Sequence, residues 1–445
     1  MGPAIRVHRH TRVVPAFTIA WIAFTAVTLD TVAVRAQVAS ASSAALGMAD
    51  NFTAVARGFD AVAWNPAALG LSGNRGSSFT LLTTRGSTGL GPVSLTDLAD
   101  YSDALVPDGV KSDWLSRITA DGGQNGTAGA DITWVSLQFG RLAVQASSSA
   151  RAAADLAPGI AELVFFGNVG KDGQARALDL SGSDAFGHAY STIAASIGMP
   201  LPLAMARLAL GITGKYTIGH ALVFGEQSTG FTSSNPLAVQ LDFPLVHTDV
   251  EGDGYTGSVG SGFGLDVGLA LESTRLTLVA TVRNVISGFA WDAAALRYRP
   301  LSVVLDADTS ATTTDDTLLT DAPAAIRTRV TELGFEPVYA AGVAFRVSRQ
   351  LLVAGDARTA SPVGLSTGVT RHIGGGLEFR PVAWLPLRAG AAIISADEDA
   401  AGSQIAGGIG IDLGGVHLAA SAMRRSAGRL GDATTLMVSL ISVGR

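Results

Sequence analysis

Eleven titratable side chains recur on every second residue of otherwise apolar stretches: Asp266, Arg283, Arg346, Asp356, Arg358, His372, Glu378, Arg380, Arg388, Asp412 and His417. Carboxylates, guanidinium groups and imidazoles on one parity can pair with one another across a shared interior. A charge network that holds a plug and a polar channel lining are equal readings of that pattern. The subset Arg346, Arg380 and Arg388 could attract a carboxylate.

Other candidate chemistry is thinner. Asp249, Glu251, Asp253 and Gly254 imitate the first half of a calcium loop, but Gly260 stands where a closing glutamate belongs, so a solvated polar loop is expected. The acidic, threonine-rich run 306–321 reads as a mobile outer loop. His188, His220, His247, His372 and His417 are not at metal-ligand spacing from one another, and no metal site is expected. The strings GSVGSGFG (257–264) and IGGGLE (373–378) precede no helix, which removes the dinucleotide-binding reading and leaves close packing. No motif gathers a serine, a histidine and an acid, so no catalytic residue and no cofactor are assigned. With no cysteine in the chain, disulfides and thiolate chemistry are excluded.

The elements that position the charges are strands. Leu208, Leu210, Ile212, Tyr216 and Ile218 share one parity, with Thr213, Lys215 and Thr217 on the other; Ile405, Gly407, Ile409, Ile411 and Leu413 alternate with Gln404, Gly408, Gly410 and Asp412. That period of two marks strands with two environments. Applied along the chain it predicts fourteen strands, near 75–84, 130–139, 142–150, 188–198, 207–219, 257–271, 275–291, 338–347, 351–359, 368–380, 385–395, 403–413, 416–425 and 433–443. A weaker apolar run, 160–166, is assigned to a loop.

With 53 glycines, only 15% charged residues and a positive mean hydropathy, the composition suits an all-β protein whose exterior faces lipid. The expected fold is a 14-stranded antiparallel transmembrane β-barrel, apolar parity outward, with short periplasmic turns alternating with long outer loops. A Gly414-Gly415 turn pairs Leu413 with Val416, Ile411 with Leu418, and Asp412 with His417 inside the barrel. A Ser273-Thr274 turn pairs Leu271 with Leu276 and sets Glu272 beside Arg275. Trp291, Tyr339 and Trp384 are expected at membrane interfaces, and the prolines of 199–206 in a turn.

Arg6, Arg9 and Arg12 precede an uncharged apolar run, 16–29, and small residues follow at 34–36, so residues 1–36 read as a secretory signal peptide cleaved after Ala36. Its removal takes four arginines and Asp30, leaving 27 basic against 36 acidic residues and a net charge of −9, which argues against a nucleic-acid partner. Residues 37–72 are Ala-rich and contain Asn65-Pro66-Ala67, where proline fixes a turn, asparagine caps it through its side-chain amide and alanine permits close packing. In the loop 95–118, Leu95, Leu98, Leu105, Trp114, Leu115 and Ile118 keep a roughly helical rhythm, which suggests an amphipathic lid.

The strand count, the N-terminal segment and Asn65-Pro66-Ala67 together resemble the FadL/PorV-like superfamily of outer-membrane barrels, whose FadL branch transports long-chain fatty acids or hydrocarbons. The runs HIGGGLEFRPVAWLPLRAGAAI and AGGIGIDLGGVHLAASAMR are similar to closing hairpins of the PorV-like branch. The resemblance implies a hatch over 37–72 gated at Asn65, Pro66 and Ala67, a barrel over 73–445, and access for hydrophobic substrate near Leu98, Leu105, Trp114, Leu115 and Ile118. It implies passive uptake of a hydrophobic small molecule by a chain seated in outer-membrane lipid of a diderm bacterium. The rival it carries is a non-transporting scaffold that holds a secreted protein at the cell surface.

Overall fold

The computed structural model describes residues 38–444 apart from 75, 103, 168–169, 174–176, 204–205, 228, 235–236, 253–254, 306–309, 314, 361–364, 366–369, 396–400 and 427–432. The expected signal peptide, Asp253 and Gly254, and part of the run 306–321 therefore lie outside the described residues.

Fourteen strands close into an antiparallel transmembrane barrel: β1 (Ser77–Gly91), β2 (Gln124–Phe139), β3 (Leu142–Leu156), β4 (Asp184–Pro202), β5 (Arg207–Glu226), β6 (Gly260–Glu272), β7 (Leu276–Ser287), β8 (Val338–Arg346), β9 (Leu351–Ala360), β10 (Arg371–Phe379), β11 (Leu387–Ser395), β12 (Ala401–Leu413), β13 (Val416–Ser426) and β14 (Ala433–Val443). Each pairs with the next, and β14 returns to β1 with Phe79 opposite Val443, so no edge is left unpaired in lipid. Ile405, Ile409 and Leu413 are exposed on the outside while Gln404 and His417 are buried within. No helix of the described residues is long and apolar enough to cross a membrane.

The Gly-Gly hairpin has the expected register, Leu413 opposite Val416 and Asp412 opposite His417, with Gly414 and Gly415 at φ of 58° and 109°. The hairpin between β6 and β7 does not. Leu271 faces Leu278 rather than Leu276, and Ser273 N donates to Leu276 O at 2.8 Å across a wider turn. A slip of two residues keeps every side chain on its face, so hydrophobic parity could not distinguish the two registers.

Other boundaries differ where strands leave the lipid. β1 to β5 run well past their predicted ends at the long-connection end, as in the pairs Gly91 with Asn125 and Asp184 with Glu226. There β1 and β2 carry mostly small and polar residues, over 85–89 and 124–131, and the apolar alternation stops. The expected strand 275–291 divides into β7 and a short piece, Ala290–Trp291, paired to Ser261 and Gly260. The long connections carry further strands, Thr229–Ser234 with Leu237–Thr248, and Leu296–Leu305 with Ser310–Thr313 and Thr317–Leu318. Within the expected mobile run, Asp316 instead pairs with Arg299 at 2.6 Å. Residues 158–166 form a helix, Pro158–Phe166.

β4 continues through the predicted turn at 199–202, with Pro200 opposite Ala209. β3 ends opposite Ile197, and Gly198 N donates to Arg141 O. Beyond that point, alternate residues of β4 turn their backbone nitrogens to a side with no neighbouring strand, where proline loses no ladder bond. Trp291 is not an interfacial residue: it is buried, donates Nε1 to Leu333 O at 2.7 Å and stacks edge-on with Phe289 in an apolar core outside the membrane. Trp384 is exposed at the short-turn end, as expected.

Candidate functional site

Residues 38–71 are almost wholly buried, and their contacts go to lumen-facing side chains from around the barrel. Short helices at Ser43–Gly47 and Ala61–Trp64 and 3-10 turns at Gly58–Asp60 and Pro66–Gly70 break the segment up. Small residues let it lie flat against the wall.

Asn65, Pro66 and Ala67 sit where that fit is closest. Asn65 Oδ1 accepts from Ala67 N at 3.0 Å and caps the turn that Pro66 begins, so the capping atom is the side-chain carbonyl oxygen. Asn65 Nδ2 donates to Leu269 O at 3.4 Å, tying the turn to β6. Beneath the turn, Gly198, Gly211 and Gly268 are in register across β4, β5 and β6. A Cβ on Gly211 would collide with the backbone of Pro66 and Ala67, one on Gly268 with Asn65 Oδ1, and one on Gly198 with Leu69 and Gly70. Three adjacent strands thus present bare backbone to the motif.

Polar anchors fix the other half of the segment. Asp356 Oδ2 accepts from Phe52 N at 2.7 Å, Thr53 N at 2.9 Å and Thr53 Oγ1 at 2.8 Å. Asn51 Oδ1 meets His372 Nε2 at 3.0 Å, and Gln404 Nε2 donates to Ala49 O at 2.9 Å. Arg85 holds both oxygens of Asp50, and Arg358 donates to Asp50 O at 2.9 Å. At the short-turn end Arg57 pairs with Glu272 at 3.0 Å, and Ser72 bonds the same carboxylate. Glu272 therefore turns to the N-terminal segment rather than to Arg275.

Nine of the eleven predicted lumen charges fall into three groups, while Arg346 stands apart and Arg283 reaches Ala63 O of the N-terminal segment at 3.5 Å. Glu378, Arg380, Arg388, Asp412 and His417 form one network at the short-turn rim: Glu378 bonds Arg380 and Arg388 at 2.8 Å each, Arg380 reaches Asp412 at 2.7 Å, and His417 Nδ1 bonds Asp412. Arg346 stands exposed at the end of β8. Arg380 and Arg388 are thus engaged by carboxylates of the chain itself. Asp266 pairs with buried Lys215 at 2.6 Å and accepts from Asn284 N across a bulge in β7. Asp356, Arg358 and His372 hold the N-terminal segment.

Beyond that segment, toward the long connections, lies a cavity of about 230 Å³ that the sequence did not reveal. Arg85, Arg151, Arg283, Arg358, Arg371 and Arg425 line it, with Asp50 and Asp131, and Trp64, Tyr190 and Phe335 supply apolar wall. His188 stacks on Tyr190 with ring centroids 5.7 Å apart.

The connection 95–118 is two helices, Leu95–Ala99 and Asp108–Asp121, rather than one continuous helix. Trp114, Leu115 and Ile118 are buried against Val93 and Ala161, whereas Leu98 and Leu105 are exposed. A shallow groove of about 520 Å³ runs between the second helix and Pro158–Phe166, walled by Phe165 and Phe166. Asp249 lies 4.0 Å from Arg297. Among the described residues no cluster of three or more metal-ligating side chains occurs.

No protein-family model matches the chain, and no curated protein does. Solved structures similar to it include a Pseudomonas aeruginosa FadL homologue, at TM-score 0.48 and 12% identity over 93% of this chain and 100% of that one. The Pseudomonas putida toluene transporter TodX is similar at TM-score 0.47 and 12% identity, over 93% of this chain and 100% of that one. The CymD monoaromatic hydrocarbon channel follows at 0.47 and 12%, over 91% of this chain and 96% of that one. At 12% identity these are likenesses of fold.

Proposed function

We propose that the protein is a bacterial outer-membrane conduit for passive uptake of small hydrophobic molecules, long-chain fatty acids or hydrocarbons, and that residues 37–72 are its hatch. In this reading the short turns are periplasmic, substrate docks near Phe165 and Phe166 under the outer helices, and passage follows local movement at Asn65, Pro66 and Ala67. The observation that supports it best is how the segment is seated. It fills the lumen, yet Asn65, Pro66 and Ala67 themselves rest on glycines and alanines and a few hydrogen bonds, with the larger Leu69 seated beside them over Gly198. Such a contact can block a free aqueous path and still shift locally.

The test is uptake of oleate and of toluene by cells carrying the protein, cells lacking it, and cells carrying Asn65→Ala with Pro66→Ala. The double variant is expected to change uptake while the barrel stays folded, judged by its heat-dependent mobility on gels. Equal uptake by parent and deletion cells across such solutes would defeat the conduit reading. The rival, a surface scaffold for a secreted protein, draws on the exposed Leu95, Leu98 and Val164 of the outer helices and on exposed Leu105 between two of them, and that result would favour it.

A further inference from the structure

Four side chains on the outer wall of the barrel form one hydrogen-bonded row across β2 to β5. Trp134 Nε1 donates to Ser148 Oγ at 2.9 Å, Ser148 Oγ lies 2.8 Å from Ser191 Oγ, and Ser191 Oγ lies 2.8 Å from His220 Nε2. His220 Nδ1 meets Gly257 O at 2.6 Å. These residues are far apart in sequence, so no motif announces them. Ser148 and Ser191 are directly opposed on β3 and β4. Bulges supply the two ends of the row. Thr133 faces Ser147 and Val135 faces Ala146, which leaves Trp134 as the extra residue of β2. Ala189 faces Ala221 and Tyr190 faces Gly219, which leaves His220 as the extra residue of β5. A bulge re-aims a side chain, and here both are aimed at the serine pair.

The hydrogen bonds run one way. An indole N–H only donates and a peptide carbonyl only accepts. Gly257 O therefore takes the Nδ1 proton of a neutral His220, Nε2 is left as an acceptor, and the Ser191 hydroxyl donates to it. The row also stands at the membrane surface. Ser148, Ser191 and His220 share the outward parity of exposed Val144, Ile193 and Tyr216. Between Ser191 and Pro202, β4 has roughly the 9–11 residues that a tilted strand needs to cross the hydrocarbon.

We propose that Ser191 and His220 are a nucleophile and base that hydrolyse carboxylic esters of membrane lipids, at the membrane surface on the long-connection side. Ser191 Oγ bonds to the ester carbonyl carbon as its proton passes to His220 Nε2. The bond from that carbon to the alcohol oxygen then breaks, and Nε2 gives the proton to the departing alcohol. Water attacks the acyl-serine in the same way, yielding its proton to Nε2, which returns it to Ser191 as the free acid leaves. The Ser148 hydroxyl, beside Ser191 Oγ, is the donor placed for the oxyanion. Gly257 orients the imidazole with a carbonyl rather than a carboxylate, which stabilises the imidazolium less and suits an ester rather than an amide. Ile193, Ile197 and Met199 continue from Ser191 as an exposed apolar wall for the acyl chain. The site lies outside the lumen and is independent of the conduit reading.

The purified full-length protein in mixed micelles is treated with a fluorescent alkyl fluorophosphonate, and its hydrolysis of dioleoyl phosphatidylglycerol, p-nitrophenyl palmitate and p-nitrophenyl butyrate is followed. The label is expected on Ser191, located by mass spectrometry of the parent protein, which needs no variant to fold. Oleate should be released from the phospholipid, and the palmitate ester should be cleaved faster than the water-soluble butyrate. Ser191→Ala and His220→Gln, each checked for an assembled barrel by heat-dependent mobility, should lower hydrolysis about a hundredfold or more. Ser148→Ala should lower kcat about tenfold or more. The proposal is overturned if Ser191 of the parent takes no label, if the phospholipid is not hydrolysed, if butyrate is cleaved as fast as palmitate, or if Ser191→Ala or His220→Gln hydrolyses like the parent.

Discussion

Asp356 and Thr53 are joined twice, the carboxylate Oδ2 accepting from the Thr53 backbone N–H at 2.9 Å and from its hydroxyl at 2.8 Å. With the third bond from Phe52 N, one oxygen of a barrel strand gathers the turn at 51–53 of the N-terminal segment. Asp356→Ala strands three buried donors, at about 1–3 kcal/mol for each one left unsatisfied. The expected result is a segment that leaves its seat while the barrel persists, seen in planar bilayers as frequent openings where the parent is closed. A closed Asp356→Ala protein would show that this anchor does not hold the segment.

The glycine platform makes a sharper prediction because it has a control on the same strand. Gly211→Val places a side chain where Pro66 and Ala67 lie, whereas a Cβ on Gly214 meets nothing within 4 Å. Gly211→Val is therefore expected to displace the Asn65 turn and raise conductance, and Gly214→Ala to match the parent in conductance and heat-dependent mobility. Equal behaviour of the two variants would remove the platform as the seat of the motif.

Much of this architecture could be read from sequence because lipid on one side and lumen on the other impose a period of two. Ile405 to Leu413 carries that period plainly, and Gly414-Gly415 fixes its hairpin register, so the Asp412–His417 contact was legible. Ser273-Thr274 imposes no such constraint, and the register there slipped by two without changing any face. The cavity was missed for a related reason. Arg85 and Arg151 fall one residue past the predicted ends of their strands, where β1 and β3 leave the lipid and apolar alternation stops. Asp50 and Asn51, which complete the anchors, also bond Arg358 and His372 more than 300 residues away in sequence, and those contacts leave no local signal.

The rim network should be unequal in its members. Glu378 serves both Arg380 and Arg388, and the Arg388 side chain is fully buried while that of Arg380 is a third exposed. Glu378→Ala takes the carboxylate from a buried guanidinium and is expected to cost about 3 kcal/mol or more. Arg380→Ala should cost about 1 kcal/mol, since its partners keep other bonds and water reaches the site. Urea unfolding of the two variants in detergent measures the difference, and an Arg380→Ala loss as large as that of Glu378→Ala would mean that burial does not set the hierarchy.

Outside the membrane, Asp97 ties the two outer helices together. Its carboxylate accepts from Arg117 at 3.1 and 3.2 Å and from the Ser94 backbone N–H and hydroxyl at 2.7 Å each. The Arg117 hydrogen bond, followed by those from Ser94, holds its pKa down to about 2. A carboxylate depressed in the folded state adds stability above its unfolded pKa of about 4 and loses that stability as pH falls toward the folded value. The tie should therefore be constant from neutrality to about pH 5 and fade between about 4 and 2. Both side chains are roughly a third exposed, so solvent screening limits the pair to about 0.5–1 kcal/mol. Hydrogen exchange over residues 94–121, corrected for intrinsic rates, is expected to show protection about two- to fivefold lower at pH 2 than at pH 5. In Asp97→Asn the protection should already be reduced at pH 7 and change little with acid. A pH-independent parent, or a variant that loses protection over the same pH interval as the parent, would show that another group governs the outer helices.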